Sequence, residues 1–411
     1  MTRSPTAATA ACADPAARAA QGGTSAAAAG QSAPTGPQPP LTEASGCRHG
    51  SPADSHAHDR DRDRPAPAPG APPAAPTPGG ADPGPLELPG NGTPRRLHCR
   101  VLQSPLAGVS DRIFRGLVRR WAPEALLFTE MVNATSLELG FGRIKVEELG
   151  GESGPIGVQL FDHRPQAIAE AARRAEAAGA FLIDINMGCP VRKIARKGGG
   201  SGLLRDPDLA ARIVAAVAGA VQVPVTVKTR LGWCHSSADP ISFARTLQEA
   251  GAQLLTLHGR TREQGFSGSA DWPAIGRVVR ALSIPVIANG DIHSPEEALQ
   301  CLALTGAAGV MVGRGTMGHP WLVGRIDAAL RGRPIPPEPD AAARIALAAE
   351  HLQALVAARG DHGLLIARKH LSWTCQGFAG APRLRHALMR APTPAEALEL
   401  LHRAGDGLPP A

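Results

Sequence analysis

The chain is predicted to be an α/β protein: a (β/α)8 TIM barrel followed by a small all-helical domain, behind a long N-terminal extension that lacks a core. Three observations carry this. Eight short apolar runs alternate with helix-like segments between residues 98 and 312, and nearly every run ends in polar or glycine residues. A proline-rich linker at 331–340 then leads into a tail with helical periodicity and no strand signals.

Residues 1–94 hold 18 of the 39 prolines, long Ala, Gly and Ser runs, and an Asp-Arg alternation at 59–64. So little large apolar surface cannot offset the entropy of ordering, so the segment is expected to be disordered. An Ala- and Ser-rich leader also suits an organellar transit peptide, but its acidic residues and prolines favour a plain tail on a cytoplasmic protein. From residue 95 onward there are 37 Lys+Arg against 28 Asp+Glu. That excess suits a polyanionic partner, though solubility alone accounts for many such excesses.

The seven cysteines are scattered and contain no Cys-x-x-Cys pair, which argues against a disulfide framework or a zinc site and for a reducing compartment. No run approaches the roughly 18 apolar residues of a membrane span, so no membrane association is expected. A monomer is expected.

The apolar runs are 98–106, 126–131, 156–161, 181–185, 225–229, 254–258, 285–288 and 309–312. Most are apolar on both alternations, as in a parallel sheet buried on both faces. Segments 165–178, 208–220, 241–250 and 295–304 each carry an apolar stripe at helical spacing. These units place the barrel at 95–334. Segments 341–358, 364–376, 383–389 and 394–402 make the helical domain of 335–411.

Barrels of this kind keep their chemistry at the C-terminal ends of the strands. At those ends stand Gly108 and Asp111, Glu130 and Asn133, Gln159, Asn186 and Cys189, Lys228 and Arg230, His258 and Arg260, Asn289 and Asp291, and Gly313 and Arg314. Some are expected only to satisfy loop backbone. Ala-Asn-Gly-Asp (288–291) and Val-Gly-Arg-Gly (312–315) put tight backbone with free N–H groups after the seventh and eighth runs, where such barrels hold phosphate, and Arg314 can add a bidentate charge. Two plain glycine turns are the alternative. The literal Gly-x-Gly-x-x-Gly at 313–318 lacks the further strand that a dinucleotide fold needs.

The fourth run ends in Asp-Ile-Asn-Met-Gly-Cys-Pro (184–190), which delivers Asn186 and Cys189 to the barrel mouth. Arg192, Lys193, Arg196 and Lys197 follow, then a glycine-rich stretch expected to be a mobile, anion-attracting loop. Cys99, Cys301 and Cys375 read as small buried hydrophobes, whereas Cys189, on a strand-exit loop, reads as a chemical group. Aromatic residues are 3% of the chain and Tyr is absent, so base stacking is not expected to dominate any nucleic-acid affinity.

In this order and spacing the motifs resemble the tRNA-dihydrouridine synthase family over residues 100–388. They are Ser-Pro-Leu-Ala-Gly-Val-Ser-Asp (104–111), Gly-Val-Gln-Leu (157–160), Asp-Ile-Asn-Met-Gly-Cys-Pro (184–190), Val-Lys-Thr-Arg (227–230), Leu-His-Gly-Arg-Thr (257–261), Ala-Asn-Gly-Asp (288–291), Gly-Arg-Gly (313–315) and Arg-Lys-His-Leu (368–371). The resemblance implies an FMN-binding barrel and a helical domain that together hold tRNA, with NADPH as reductant and no metal.

It also implies roles. Pro105, Leu106 and Ala107 would line the flavin, and Gln159 and Lys228 would contact its ring system. Asn289, Gly290, Asp291, Gly313 and Arg314 would hold its phosphate. Cys189 would be the proton donor and Asn186 would orient the uracil, with His258, Arg230 and Arg260 at flavin and substrate. Arg368 and Lys369 would meet tRNA. Saturating the uracil 5,6 double bond needs a hydride at C6 and a proton at C5, which accounts for a flavin and an acid in one site. The family pattern differs at Ser104-Pro105-Leu106, where Ala-Pro-Met is common, and at Thr374-Cys375-Gln376. Two other readings stand beside this one: another FMN barrel acting on a small pyrimidine or enone, and a tRNA-binding module without turnover.

Overall fold

The computed structural model describes residues 82–142, 146 and 148–406. For residues 1–81 the expectation of disorder lies outside the described residues; for 82–94 it is corrected. β1 (Leu86–Leu88) pairs antiparallel with β2 (Arg95–Leu97), with Leu86 opposite Leu97. Leu86, Leu88 and Leu97 are buried together with Leu102, Phe128, Leu182, Leu254 and Ile287 in one apolar cluster. Those partners lie in the lower interior of the barrel, so the hairpin plugs its N-terminal end. Two leucines flanking a glutamate are too short a pattern to stand out of a proline-rich background, and the burial comes from what the hairpin covers.

The barrel strands are β3 (Val101–Gln103), β4 (Leu127–Phe128), β5 (Val132–Asn133), β6 (Ile156–Phe161), β7 (Leu182–Asn186), β8 (Val225–Arg230), β9 (Leu254–His258), β10 (Val286–Asn289) and β11 (Gly309–Val312). They run in the order β3-β11-β10-β9-β8-β7-β6-β4 with β5 also on β6, every pair parallel. A parallel bridge between Leu102 and Leu126, with the Gln103 N–H donating to the Leu126 carbonyl at 3.1 Å, joins the two edges. The second apolar run thus forms β4 only over 127–128, and β5 starts one residue past its end. The break at 129–131 turns Met131 toward the barrel mouth and lets the Glu130 carboxylate accept from the Gly108 N–H.

Around the sheet stand α1 (Arg112–Trp121), α2 (Ala134–Glu138), α3 (Pro165–Ala177), α4 (Arg192–Arg196), α5 (Pro207–Ala218), α6 (Pro240–Glu249), α7 (Trp272–Ala281), α8 (Pro295–Thr305) and α9 (Leu322–Leu330). Their starts follow from local chemistry. Asp206, Asp239, Asp271 and Ser294 each accept a hydrogen bond from a first-turn N–H, at 2.9, 3.0, 2.7 and 3.1 Å, and proline occupies the first turn behind each cap. Asp111 and Asn133, polar residues at strand exits, turn out to be caps of this kind for α1 and α2.

After the linker, α10 (Ala341–Arg359), α11 (His362–Thr374), α12 (Ala381–Arg390) and α13 (Pro394–Asp406) pack around their own core of Ile345, Leu352, Leu371, Leu388 and Leu401. The expectation about membrane spans is corrected for one helix. α10 is long and apolar enough to cross a membrane by length and composition, yet Ile345, Leu352 and Leu355 are spent in this core.

The bundle docks on α1. Leu347 joins Leu117 and Trp321, while the tilted rings of His351 and His370 lie 4.5 Å apart and within 6.3 Å of the Phe114 ring. Burial keeps both imidazoles neutral and lowers His351 to about 4. The unfolded chain takes up these protons near pH 6.5 and the folded one does not, so this stability is intact above about pH 6.5 and is lost as pH falls toward 4. The expected loss for His351 is on the order of 3 kcal/mol. Denaturant titrations of wild type and His351→Leu at pH 7.5 and 4.5 check it: the variant should lose much less on acidification, and equal losses would remove His351 from the account.

Candidate active site

The C-terminal ends of the strands surround a cavity that is open to solvent on one side. Strand register is what assembles its floor. Gln159 lies beside Asp184 and Asp184 beside Thr226, while Asn186 lies beside Lys228 one layer higher. Two of those rungs become side-chain hydrogen bonds: Gln159 Nε2 and Thr226 Oγ1 donate to Asp184 at 2.6 Å each. Asn186 Nδ2 in turn donates to Gln159 Oε1 at 2.8 Å. Burial pushes the Asp184 carboxyl up to about 6 even though both donors favour its ionised form. The network thereby fixes which end of the Gln159 amide faces Asn186.

Asn186 also shapes the thiol loop. Its Oδ1 accepts from the Gly188 N–H at 3.1 Å and the Cys189 N–H at 2.9 Å, a side-chain-capped turn that presents Cys189 to the cavity. Burial raises the Cys189 thiol, outweighing the lowering by the Val191 N–H, Arg230 and Lys228. The sulfur therefore carries its proton at neutral pH.

The glycine-rich stretch behind this loop differs from the expected mobile loop. α4 and a 3-10 turn at Gly200–Arg205 fold it back, and Gly200, Ser201 and Leu203 are buried. Gly200 has a φ of 54°, and a Cβ there would come within 3.2 Å of the Cys189 Cβ. Glycine is present because two backbones approach closely, and the Ser201 N–H donates to the Cys189 carbonyl at 3.2 Å.

The opposite wall is cationic. Lys228 Nζ donates to Asn289 Oδ1 at 2.8 Å, and Asn289 Nδ2 donates to the Met311 carbonyl at 2.8 Å. Burial, then the neighbouring Arg230, lowers Lys228 to about 8. Arg230 is buried and ties two loops together through the carbonyls of Gly188 after β7 and of Thr261 and Gly265 after β9, at 2.8, 3.1 and 2.9 Å. His258 is neutral because burial and the surrounding cations disfavour its charged form. Arg260 Nη1 lies 3.4 Å from its Nε2, and a guanidinium can only donate, so Nε2 is the bare nitrogen and Nδ1 carries the hydrogen.

Beyond β10 and β11, Gly290 has a φ of 120°, and a Cβ there would meet Ala270 at 2.8 Å and His258 at 2.9 Å. Asp291, at a φ of 54°, accepts both Arg260 Nη groups at 2.8 and 2.7 Å and the Ala270 N–H at 2.8 Å, with Arg314 at 3.3 Å. Burial works against its charge, but these donors hold the carboxyl below its usual range. Arg314 stands beside Gly313 with its guanidinium 4.7 Å from the Phe266 ring centre. Pro105, Leu106, Ala107 and Met311 supply the apolar side.

Residues 102–406 match the model of the family described as "Dihydrouridine synthase (Dus)". The chain belongs to the dihydrouridine synthase family. A "Probable tRNA-dihydrouridine synthase 1" of Synechocystis sp. is 53% identical over 308 residues, covering 75% of this chain and 87% of that relative. A "Probable tRNA-dihydrouridine synthase" of Rhodobacter capsulatus is 41% identical over 312 residues, 75% of this chain and 95% of its own. A "tRNA-dihydrouridine synthase B" of Xanthomonas axonopodis pv. citri is 42% identical over 325 residues, 77% and 97%.

Of the residues that the motifs assign in this family member, Cys189, Asn186, Gln159, Lys228, Arg230 and His258 line the one cavity, as do Pro105, Leu106, Ala107, Asn289, Gly290, Asp291, Gly313 and Arg314. Arg260 stands behind the wall, 2% exposed, paired to Asp291. Lys369 reaches the mouth from the helical domain: a Cβ on Gly108 would sit 3.1 Å from its Nζ. Arg368 instead turns into the bundle and donates to the Ala391 carbonyl at 3.2 Å. Three contributors escaped the sequence reading. Asp184 is a carboxylate inside an apolar run, Met131 sits at the strand break, and Phe266 is an aromatic between Gly265 and Gly268 that is 55% exposed beside Arg314 and Arg230. Of these, only a charge in a strand otherwise apolar was visible as a signal.

Proposed function

We propose that this enzyme reduces uridine in tRNA to 5,6-dihydrouridine with FMN held in the cavity and NADPH as reductant, and that it acts as a cytoplasmic monomer without membrane association. The supporting observation is the conjunction of a half-buried, protonated thiol and a wall suited to an anion on one cavity at a barrel mouth. The residues present fit the flavin. Pro105, Leu106, Ala107 and Met311 offer an apolar wall for a flat ring system, Lys228 a cation near it, and Arg314 with the Gly290 and Gly313 backbone an anion site, where a side chain at Gly290 would clash with Ala270 and His258. The Asp291 carboxylate would repel phosphate, so its side chain acts by holding Arg260 and Arg314 in place.

A bound FMN supplies the hydride that uracil C6 receives. The remaining steps belong to the protein. Cys189 Sγ gives its proton to C5 and is left as a thiolate, which Lys228 and Arg230 stabilise electrostatically. Asn186 Nδ2 donates to Gln159 Oε1 and makes only a long contact, 3.9 Å, to the weak acceptor Met131 Sδ, which a uracil carbonyl would replace while the other end of the amide holds the thiol loop. The uridine must leave the tRNA stack to reach this depth, and Lys369 stands at the entrance to meet the backbone.

The test is direct. The purified protein should be yellow, and with NADPH and unmodified tRNA it should form dihydrouridine detectable by nucleoside mass spectrometry. A colourless protein that binds tRNA without reducing it would overturn the proposal, and free uridine reduced as fast as tRNA would transfer it to a small pyrimidine.

A further inference from the structure

A second, basic hollow opens beside the first cavity and shares no lining residue with it. Arg192 and Arg196 on α4, Arg205 at the end of the glycine-rich turn, and Arg262 after β9 surround Trp233. The guanidinium carbons of Arg262 and Arg205 lie 4.4 and 4.8 Å from the Trp233 ring centre, so the indole orients two of the four cations. Arg262 Nε is buried without a hydrogen-bond partner. Among the described residues none of the four guanidinium groups is ion-paired. Four like charges gathered around one hollow repel one another unless an anion enters.

The hollow is joined to the uridine cavity by the shortest possible link. Val191 lines the first and the next residue, Arg192, lines the second. Arg230, on the cavity wall, donates to the Thr261 carbonyl at 3.1 Å, and the Arg262 N–H donates to the Gly232 carbonyl at 2.9 Å, so both hollows hang on the same loops. A uridine drawn into the cavity stays bonded to its two flanking phosphates, and these must remain at the rim. Paired guanidinium forks match phosphate oxygens.

We propose that the Arg192, Arg196, Arg205 and Arg262 cluster around Trp233 is a phosphodiester-binding site for the RNA strand that flanks the target uridine. It rests on the tRNA reading of the neighbouring cavity. The phosphate group of a reduced dinucleotide has the same chemistry, and the experiment separates the two sources.

The flavin-loaded wild type and an Arg196→Gln/Arg205→Gln double variant are compared at several salt concentrations for tRNA Kd, and with NADPH alone for the rate of flavin reduction. The expected result is tRNA binding weaker by about tenfold or more, with the slope of log Kd against log salt reduced by about one. Flavin content, thermal midpoint and the NADPH half-reaction should be unchanged, since all four arginines stand outside the flavin cavity. Unchanged tRNA Kd and slope would reduce the cluster to a solvated face. A raised NADPH requirement with tRNA binding intact would assign it to the reductant and overturn the proposal. If wild type itself forms no dihydrouridine, the functional reading falls and this site with it; if wild type is active and the variant keeps its affinity, only the site falls.

Discussion

Cys189→Ala is expected to slow tRNA reduction by about 10²- to 10⁴-fold, the usual contribution of a positioned general acid, while flavin content and tRNA affinity stay near wild type. The thiol is half-buried and its proton is retained by burial, so nothing in the flavin wall depends on it. Single-turnover reaction of pre-reduced enzyme with unmodified tRNA isolates the step. The sign of its pH dependence follows. An acid must be protonated, and Cys189 lies above the ordinary thiol value of 9.0, so the rate should be level through neutral pH and fall only on the alkaline side. A rate that rises with pH through 7–9, or an alanine variant that turns over normally, would assign the proton to another donor.

The second large effect concerns stability. Asp291→Ala is expected to cost about 3–5 kcal/mol and to lower FMN affinity sharply, because Arg260 is 2% exposed and would be left as a buried charge without its carboxylate. The loss should be asymmetric. Asp291 is 28% exposed and keeps Arg314 as partner, so Arg260→Ala leaves a better-solvated orphan and should cost less in folding. Asp291→Asn separates charge from shape, since asparagine tolerates the positive φ of 54° and still accepts a hydrogen bond. It should fall between wild type and alanine. Denaturant unfolding of the three variants, with flavin absorbance after dialysis, checks both parts; an alanine variant as stable as wild type would show that the pair is not what holds this wall.

The legible part of the site was the part carried by strand ends. Asn186, His258 and Asn289 close their strands, Gln159 and Lys228 stand two residues before the ends of theirs, and the barrel geometry sends the C-terminal part of every strand to one mouth. Two features were misread for one reason. The glycines at 198–202 and the Leu86–Leu88 strand look featureless as local sequence, yet Gly200 packs on the Cys189 loop and Leu86 and Leu88 plug the barrel. Both depend on a partner far along the chain, and composition cannot report a partner.

The sequence by itself therefore determined the eightfold alternation, the helical tail and the set of polar groups at the strand exits, because each of these follows from neighbours within a turn or a strand. Tertiary structure alone decided which of those groups share the cavity. Register set Gln159 against Asp184, curvature of the closed sheet brought Arg230 to Gly188, and the docked bundle carried Lys369 but not Arg368 to the mouth. Such contacts join residues separated by tens to hundreds of positions, and their energies depend on burial and distance that no local pattern encodes.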